Sequence, residues 1–135
     1  MPEKPVVLLT GFEPFSGQPF NVSAEGVRLF CEGGDQGERA ELPWRILPVA
    51  FDAAALRLGE AIDELKPRAV ISAGICDEPC YRIERVAHNL DDTEVADNKG
   101  EVRRSLRIIE DGPESFAAPY PHAELARGLE EQGLP

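Results

Sequence analysis

Val6-Val7-Leu8-Leu9-Thr10-Gly11-Phe12-Glu13-Pro14-Phe15, residues 6–15, is the stretch that decides the fold class of this chain. Its first half is a continuous run without charges, which is typical of a strand buried on both faces. Gly11 is expected to end this strand. The segment Gly11–Asn21 is then predicted to be a loop, because Pro14 and Pro19 cannot donate hydrogen bonds to a sheet.

Two further apolar runs alternate with helical patterns. Trp44–Val49 and Ala69–Gly74 are predicted strands, and the second is expected to be buried. Helices are predicted from Ser23, as N-cap, to the glycines at 33 and 34, and from Asp52 to Leu65. Strand, helix, strand, helix, strand predicts the α/β class, with a mainly parallel sheet and right-handed crossovers.

The second half of the chain is less regular. Tyr81–Asn89 is predicted to be extended, and Asp91–Gly100 is a polar excursion. A final helix is predicted over His122–Gln132, with Gly133 as its C-cap. A long irregular stretch inside a compact domain is more often functional than accidental.

Composition limits the possible functions. The 135 residues predict one domain, and 14 basic minus 25 acidic residues give a net charge of −11. This charge disfavours nucleic acid and anionic membranes as partners. No apolar run approaches the ~20 residues that span a bilayer, and the N-terminus lacks the apolar part of a signal peptide. Three cysteines do not suggest a disulfide framework, so we expect a cytoplasmic location. The motifs indicate no cofactor.

Five segments in chain order together resemble the pyroglutamyl peptidase (pyrrolidone-carboxylate peptidase) family. Each motif alone is weak, but five in register are strong support for homology, and the match runs from about Val7 to Pro135. The segments are residues 7–15, Asn21–Ser23, Leu47–Phe51, Arg82–Ala87 and Asp97–Gly100.

The resemblance implies both a fold and an activity. Members of the family are cytosolic cysteine peptidases that remove an N-terminal pyroglutamyl residue from peptides. They have a three-layer α/β/α sandwich and usually form homo-oligomers. A cysteine thiolate attacks the acyl carbon, a histidine transfers the proton, and a glutamate orients the histidine. The expected partners are therefore a pyroglutamyl peptide or a small lactam, and further copies of the chain.

The resemblance also assigns site residues. Glu84 matches the catalytic glutamate, Phe12 and Phe15 match two aromatic residues that sandwich the lactam ring, and Asn21 matches an asparagine that supports their loop. A flat, uncharged lactam gains from aromatic faces on both sides. Two simpler readings stay open. Glu84 could be an exposed acid paired with a flanking arginine, and the two phenylalanines could fill the core beneath the loop.

The resemblance fails at the catalytic centre. The segments that carry the nucleophile and the histidine in the family fall beyond Pro135, so we expect residues 1–135 to be a single, truncated domain without its C-terminal part. Glu94 stands where the family has an arginine thought to stabilise the oxyanion, and a carboxylate there would repel the developing charge. We therefore expect no activity from the chain alone. The alternative is a non-catalytic module that binds a small ligand or another protein.

Other reactive side chains have plain explanations. Cys76 and Cys80 with His88 are a poor match to structural zinc spacing, and the acids between the two cysteines oppose an activated thiolate. Reduced surface thiols are therefore expected, and neither His88 nor His122 is expected to act as a general base. A calcium site is conceivable, but a solvated loop is the expectation for three aspartates: Asp91, Asp92 and Asp97.

Overall fold

In the computed structural model of the protein, β1 (Val7–Phe12) is the central strand of a three-stranded parallel sheet. It pairs with β2 (Trp44–Leu47) on one side and with β3 (Ala69–Ser72) on the other. The α/β class and the parallel sheet predicted from the sequence are therefore confirmed. The structure describes residues 2–33 and 38–135, so part of the turn predicted between Gly33 and Glu38 lies outside the described residues.

Two helices accompany this sheet. Helix α1 (Val22–Glu32) packs on β1 and β2, and α2 (Ala53–Leu65) packs on β2. Both confirm the predicted helices to within one or two residues. The buried apolar side chains come from β1, β2, both helices and the loop after β2: Leu8, Leu9, Val27, Leu47, Ala50 and Ala61.

Three sequence predictions were wrong in detail. β1 does not stop at Gly11 but continues to Phe12, because Gly11 and Phe12 pair with Ile46 and Leu47 of β2. Gly11 also lies against α1, where a Cβ would be 2.7 Å from the Ser23 carbonyl oxygen. The N-cap of α1 is Asn21 rather than Ser23. β3 is not buried, since all four of its residues are exposed.

The chain folds into two units. The first comprises Met1–Ile75 and Ala96–Glu101, and the second comprises Cys76–Val95 and Val102–Pro135. The single domain predicted from the length stays a prediction.

The second unit contains a short antiparallel pair. β4 (Val86–His88) confirms part of the predicted extended segment, and β5 (Ser115–Ala117), its partner, was not predicted. Helix α3 (His122–Glu131) confirms the last predicted helix, and Gly133 follows it with a φ of +71°. None of the helices described in residues 2–33 and 38–135 is long and apolar enough to cross a membrane.

Candidate functional site

The predicted ligand-binding residues lie at one edge of the parallel sheet. Residues 12–21, which we call the aromatic loop, begin with Phe12, the last residue of β1. The Phe12 ring approaches the carboxyl end of β3, because a Cβ placed on Gly74 would lie 4.0 Å from a ring carbon. Ligands of open α/β sheets bind outside the carboxyl ends of the strands, so the aromatic loop occupies the expected place for a site.

Asn21 ties the aromatic loop to the first turn of α1. Its Nδ2 donates to the Glu13 carbonyl at 3.0 Å, and its Oδ1 accepts from the Ser23 amide at 2.9 Å and from the Ser23 hydroxyl at 2.7 Å. The Ser23 hydroxyl oxygen also accepts from the Phe12 amide at 3.0 Å. Asn21 is only 3% exposed, so one buried side chain caps the helix and holds the loop.

A second support comes from a distant part of the same unit. The Asn98 Nδ2 donates to the Pro14 carbonyl at 2.8 Å, and the Asn98 amide donates to the Val49 carbonyl at 2.8 Å. The aromatic loop is thereby attached to the segment 97–100, and through it to Val49 in the loop after β2.

Asp97 fixes the position of this segment. One carboxylate oxygen accepts from the Phe51 amide at 2.9 Å, and the other accepts from the amides of Lys99 and Glu101, each at 2.9 Å. Desolvation acts to raise the pKa of Asp97, but the three backbone donors and the charge of Lys99 outweigh it, so the pKa is lower than usual. Asp97 is therefore ionised at neutral pH and holds the segment that carries Asn98.

The tip of the aromatic loop is a tight turn. The Gln18 amide donates to the Phe15 carbonyl at 3.2 Å, and Ser16 and Gly17 have φ values of 56° and 73°. Positive φ at both central positions is characteristic of a type I′ turn. Phe12 and Phe15 are half-buried, whereas Phe20 is 59% exposed. The two predicted ring residues are therefore partly packed and partly accessible.

Glu84, the predicted catalytic glutamate, belongs to the second unit. Its side chain is 74% exposed, and its Oε1 lies 3.5 Å from Nη2 of Arg82. Its carbonyl accepts a hydrogen bond from the Tyr120 hydroxyl. The structure thus brings Phe12, Phe15 and Asn21 together in the first unit and places Glu84 in an exposed ion pair in the second.

The acidic residues that precede Ala96 are paired with arginines. Glu94 lies 3.1 Å from Arg104, which also lies 3.2 Å from Asp92. Asp91 lies 3.0 Å from Arg103. Glu94 is therefore in an ion pair with Arg104.

The thiols of the second unit lie in acidic surroundings. The Cys76 sulfur is 3.6 Å from the Cys80 carbonyl oxygen, and the Cys80 sulfur is 3.7 Å from a carboxylate oxygen of Glu78. Desolvation, followed by the charge of Glu78, raises the pKa of the Cys80 thiol. A nucleophile needs the opposite shift, toward the thiolate.

Sequence reasoning missed two supports of the aromatic loop. Ser23 was predicted to be the N-cap and instead bridges Asn21 to Phe12. Asn98 belongs to a family motif that gave it no role. Asp and Asn close to a glycine are typical of turns stabilised by their own side chains, and this signal could have identified the 97–100 segment as structural.

A cavity of about 390 Å³ lies in the first unit between β2 and α2, and Glu13 of the aromatic loop contributes to its lining. Neither Phe12 nor Phe15 lines it. Five of its lining side chains are charged: Glu13, Arg45, Arg57, Glu60 and Glu64. Such walls suit ionic groups and offer little to an uncharged ring.

Residues 5–135 match the model of the protein family described as pyroglutamyl peptidase. Curated relatives include the pyrrolidone-carboxylate peptidases of Cupriavidus taiwanensis, 39% identical over 132 residues, and of Pseudomonas fluorescens strain SBW25, 38% identical over 130 residues. These alignments cover 97% and 96% of this chain but only 60% and 61% of the relatives. The chain thus spans about three-fifths of the length of the curated relatives it matches.

Solved structures of pyrrolidone carboxyl peptidases are also similar to this chain, and it again covers about three-fifths of their length. Pyrrolidone carboxyl peptidase from Pyrococcus furiosus superposes with a TM-score of 0.87 at 32% identity, covering 96% of this chain and 62% of that structure. The enzyme from Fervidobacterium islandicum AW-1 superposes with a TM-score of 0.90 at 32% identity, covering 98% of this chain and 63% of that structure.

Proposed function

Because this chain belongs to the pyroglutamyl peptidase family, we propose that its aromatic loop binds the lactam ring of an N-terminal pyroglutamyl residue. The observation that carries the proposal is the support of this loop from two sides. Asn21 holds the Glu13 carbonyl and Asn98 holds the Pro14 carbonyl, between Phe12 and Phe15 in sequence. The backbone that presents both rings is therefore fixed before a ligand arrives.

A fixed loop favours binding for two reasons. A ligand that meets ordered side chains avoids the entropic cost of ordering them. A flat lactam without charge gains contact area and favourable geometry from aromatic rings. The residues described as lining the cavity between β2 and α2 include no aromatic ring, which supports Phe12 and Phe15 as the binding place.

We also propose that Glu84 keeps the family's role of orienting a histidine, and that residues 1–135 do not hydrolyse the peptide without a further contribution. Of the family's three catalytic residues, the resemblance assigns only the glutamate to a position in residues 1–135, which supports this second proposal. The raised pKa of the Cys80 thiol argues against Cys80 as a substitute nucleophile. Glu94 adds negative charge where the family has a cation.

Binding is tested with the dipeptide pyroglutamyl-alanine, measured by NMR chemical-shift titration. Phe12→Ala and Phe15→Ala are each expected to raise the dissociation constant of the dipeptide at least tenfold. Phe20→Ala is the matched control, because it removes an exposed ring from the same loop. Equal effects of all three substitutions, or no shift with the unmodified chain, would overturn the proposal.

Hydrolysis is tested with a pyroglutamyl-aminomethylcoumarin substrate and a reducing agent. We expect no release of the fluorophore above the buffer rate. Release that iodoacetamide abolishes would show that one of the three cysteines acts as the nucleophile. Lactam binding without hydrolysis would agree with both parts of the proposal.

Two further features rest on the family resemblance. We propose a cytoplasmic location, supported by cysteines that are all free: Cys31, Cys76 and Cys80. Self-association is proposed on the same ground, and size-exclusion chromatography with light scattering tests it. A monomer over a hundredfold range of concentration would contradict self-association.

A further inference from the structure

The cavity between β2 and α2 lies within the first unit and combines buried apolar residues with exposed charged ones. Leu47 and Ala61, which line it, are each 4% exposed. Its volume of about 390 Å³ falls within the range of about 300–1,000 Å³ that is typical of small-molecule sites. The cavity therefore suits a small ligand that has both an apolar part and ionic groups.

Two of the five charged side chains that line the cavity already pair with each other. Nη2 of Arg45 lies 3.2 Å from Oε2 of Glu64. The other three, Glu13, Arg57 and Glu60, are exposed. Within the part of the chain that the structure describes, none of these three side chains has a hydrogen-bond or ion-pair partner. One guanidinium and two carboxylates are thus available to a ligand.

The three available groups start from well-defined backbone. The Glu13 amide donates to the Leu47 carbonyl at 3.0 Å, and the Glu13 carbonyl accepts from Nδ2 of Asn21 at 3.0 Å. Arg57 and Glu60 are three residues apart on α2, so they lie on one face of the helix. A ligand in the cavity therefore meets charges whose main chain is already ordered.

We propose that this cavity binds a free basic amino acid such as lysine. Lysine has one carboxylate and two ammonium groups, which complement the one guanidinium and the two carboxylates. Its carboxylate pairs with Arg57, because a guanidinium can donate to both carboxylate oxygens at once. Its ammonium groups pair with Glu13 and Glu60, and its methylene groups pack on the apolar lining.

Other charged ligands fit this cavity less well. A dicarboxylate would meet the three glutamates of the lining, and a diamine would leave Arg57 without a partner. The chain as a whole carries a net charge of −11, which attracts a ligand of net positive charge. A basic amino acid meets both conditions, because it is a cation that also carries a carboxylate.

The test is an NMR chemical-shift titration of the full 135-residue chain at low ionic strength, where charged contacts are least screened. L-Lysine is expected to shift the amide signals of residues 45–48 and 57–64 in a saturable way. L-Norleucine lacks the side-chain ammonium group of lysine, and cadaverine lacks its carboxylate. We expect each of these two ligands to have a dissociation constant at least about fivefold higher than that of lysine, the value of one exposed ion pair.

Two substitutions assign the contacts. Arg57→Gln is expected to raise the dissociation constant of lysine at least about fivefold and to leave that of cadaverine unchanged, because cadaverine has no carboxylate to lose. Glu60→Gln is expected to raise the dissociation constant of lysine by a similar factor. Asp63→Asn is the matched control. Asp63 lies on α2, is 84% exposed and lies 3.6 Å from Nζ of Lys66, outside the cavity lining. Asp63→Asn removes the same charge as Glu60→Gln and should leave lysine binding unchanged.

The proposal is overturned if lysine produces no saturable shifts, or if norleucine and cadaverine bind as tightly as lysine. It is also overturned if Asp63→Asn weakens lysine binding as much as Glu60→Gln does. The comparison of the three ligands uses the unmodified chain and stands even if a variant fails to fold. Neither Phe12 nor Phe15 lines the cavity, so lysine binding and pyroglutamyl-alanine binding can fail separately.

Discussion

Replacing Asn21 tests how the aromatic loop is held. Asn21→Ala removes the acceptor for the Ser23 amide and the donor for the Glu13 carbonyl in one change. Loss of an N-cap costs about 1 kcal/mol. Loss of the bond to Glu13 costs about 1 kcal/mol more, and the buried Ser23 hydroxyl loses its acceptor, so the total is about 2–3 kcal/mol.

Asn21→Asp separates the two contributions. Aspartate has nearly the same shape and keeps an oxygen that accepts from the Ser23 amide, and its charge is favourable at a helix N-terminus. It has no amide to donate to the Glu13 carbonyl. We therefore expect Asn21→Asp to lower the free energy of unfolding by about 1 kcal/mol, the value of the loop bond alone.

The assay is equilibrium unfolding in urea, followed by the fluorescence of Trp44, the single tryptophan of the chain. Thermal unfolding should agree, with Asn21→Ala lowering Tm by about 10 °C for a chain of this size. An Asn21→Ala cost below about 0.5 kcal/mol would refute the cap and the loop bond together, since that is the range of neutral surface changes. Equal costs for the two variants would refute the cap alone.

Two more perturbations probe the first unit. Gly11→Ala would place a Cβ 2.7 Å from the Ser23 carbonyl oxygen and should lower the free energy of unfolding by about 1–3 kcal/mol. Gly26 lies on α1 with open space around it, so Gly26→Ala should raise the free energy of unfolding by about 0.5–1 kcal/mol. Urea unfolding measures both, and changes of the same sign would contradict the close contact at Gly11. The pKa of Asp97 is lower in the folded chain than in the unfolded one, so its contribution is present above the ordinary aspartate pKa and is lost as pH falls through the folded value. Urea midpoints measured downward from pH 5 should therefore fall less in Asp97→Asn than in the unmodified chain, and parallel curves would contradict this.

The parallel sheet could be predicted because its strands and helices have local signals. The uncharged run that opens β1 and the helical pattern that ends at Leu65 each identify an element within a few residues of its observed bounds. β5 was missed because Ser-Phe-Ala is too short to show a period, and it is a strand only through its pairing with β4. The burial of β3 was mispredicted because its apolar side chains indicate only that the strand suits a buried position. They do not indicate whether other segments cover it.

The candidate site was predictable only in part. Phe12, Phe15 and Asn21 came from a family motif, and the structure places them in one loop. The roles of Ser23 and Asn98 depend on contacts between segments far apart in sequence, which no local pattern reports. Gly11 likewise was read as a strand end, although its lack of a side chain serves the contact between β1 and α1.

The hydrogen bond from Asn98 to Pro14 has a consequence for how the chain matures during translation. It joins residues 84 positions apart. At synthesis rates of about 5–20 residues per second, Asn98 is added about 4–17 s after Pro14. The residues of all three strands of the parallel sheet have been synthesised by then, whereas of the loop's two asparagine anchors only Asn21 precedes β2 and β3 in the chain. The aromatic loop therefore gains its second anchor late, after the ribosome has passed codon 98.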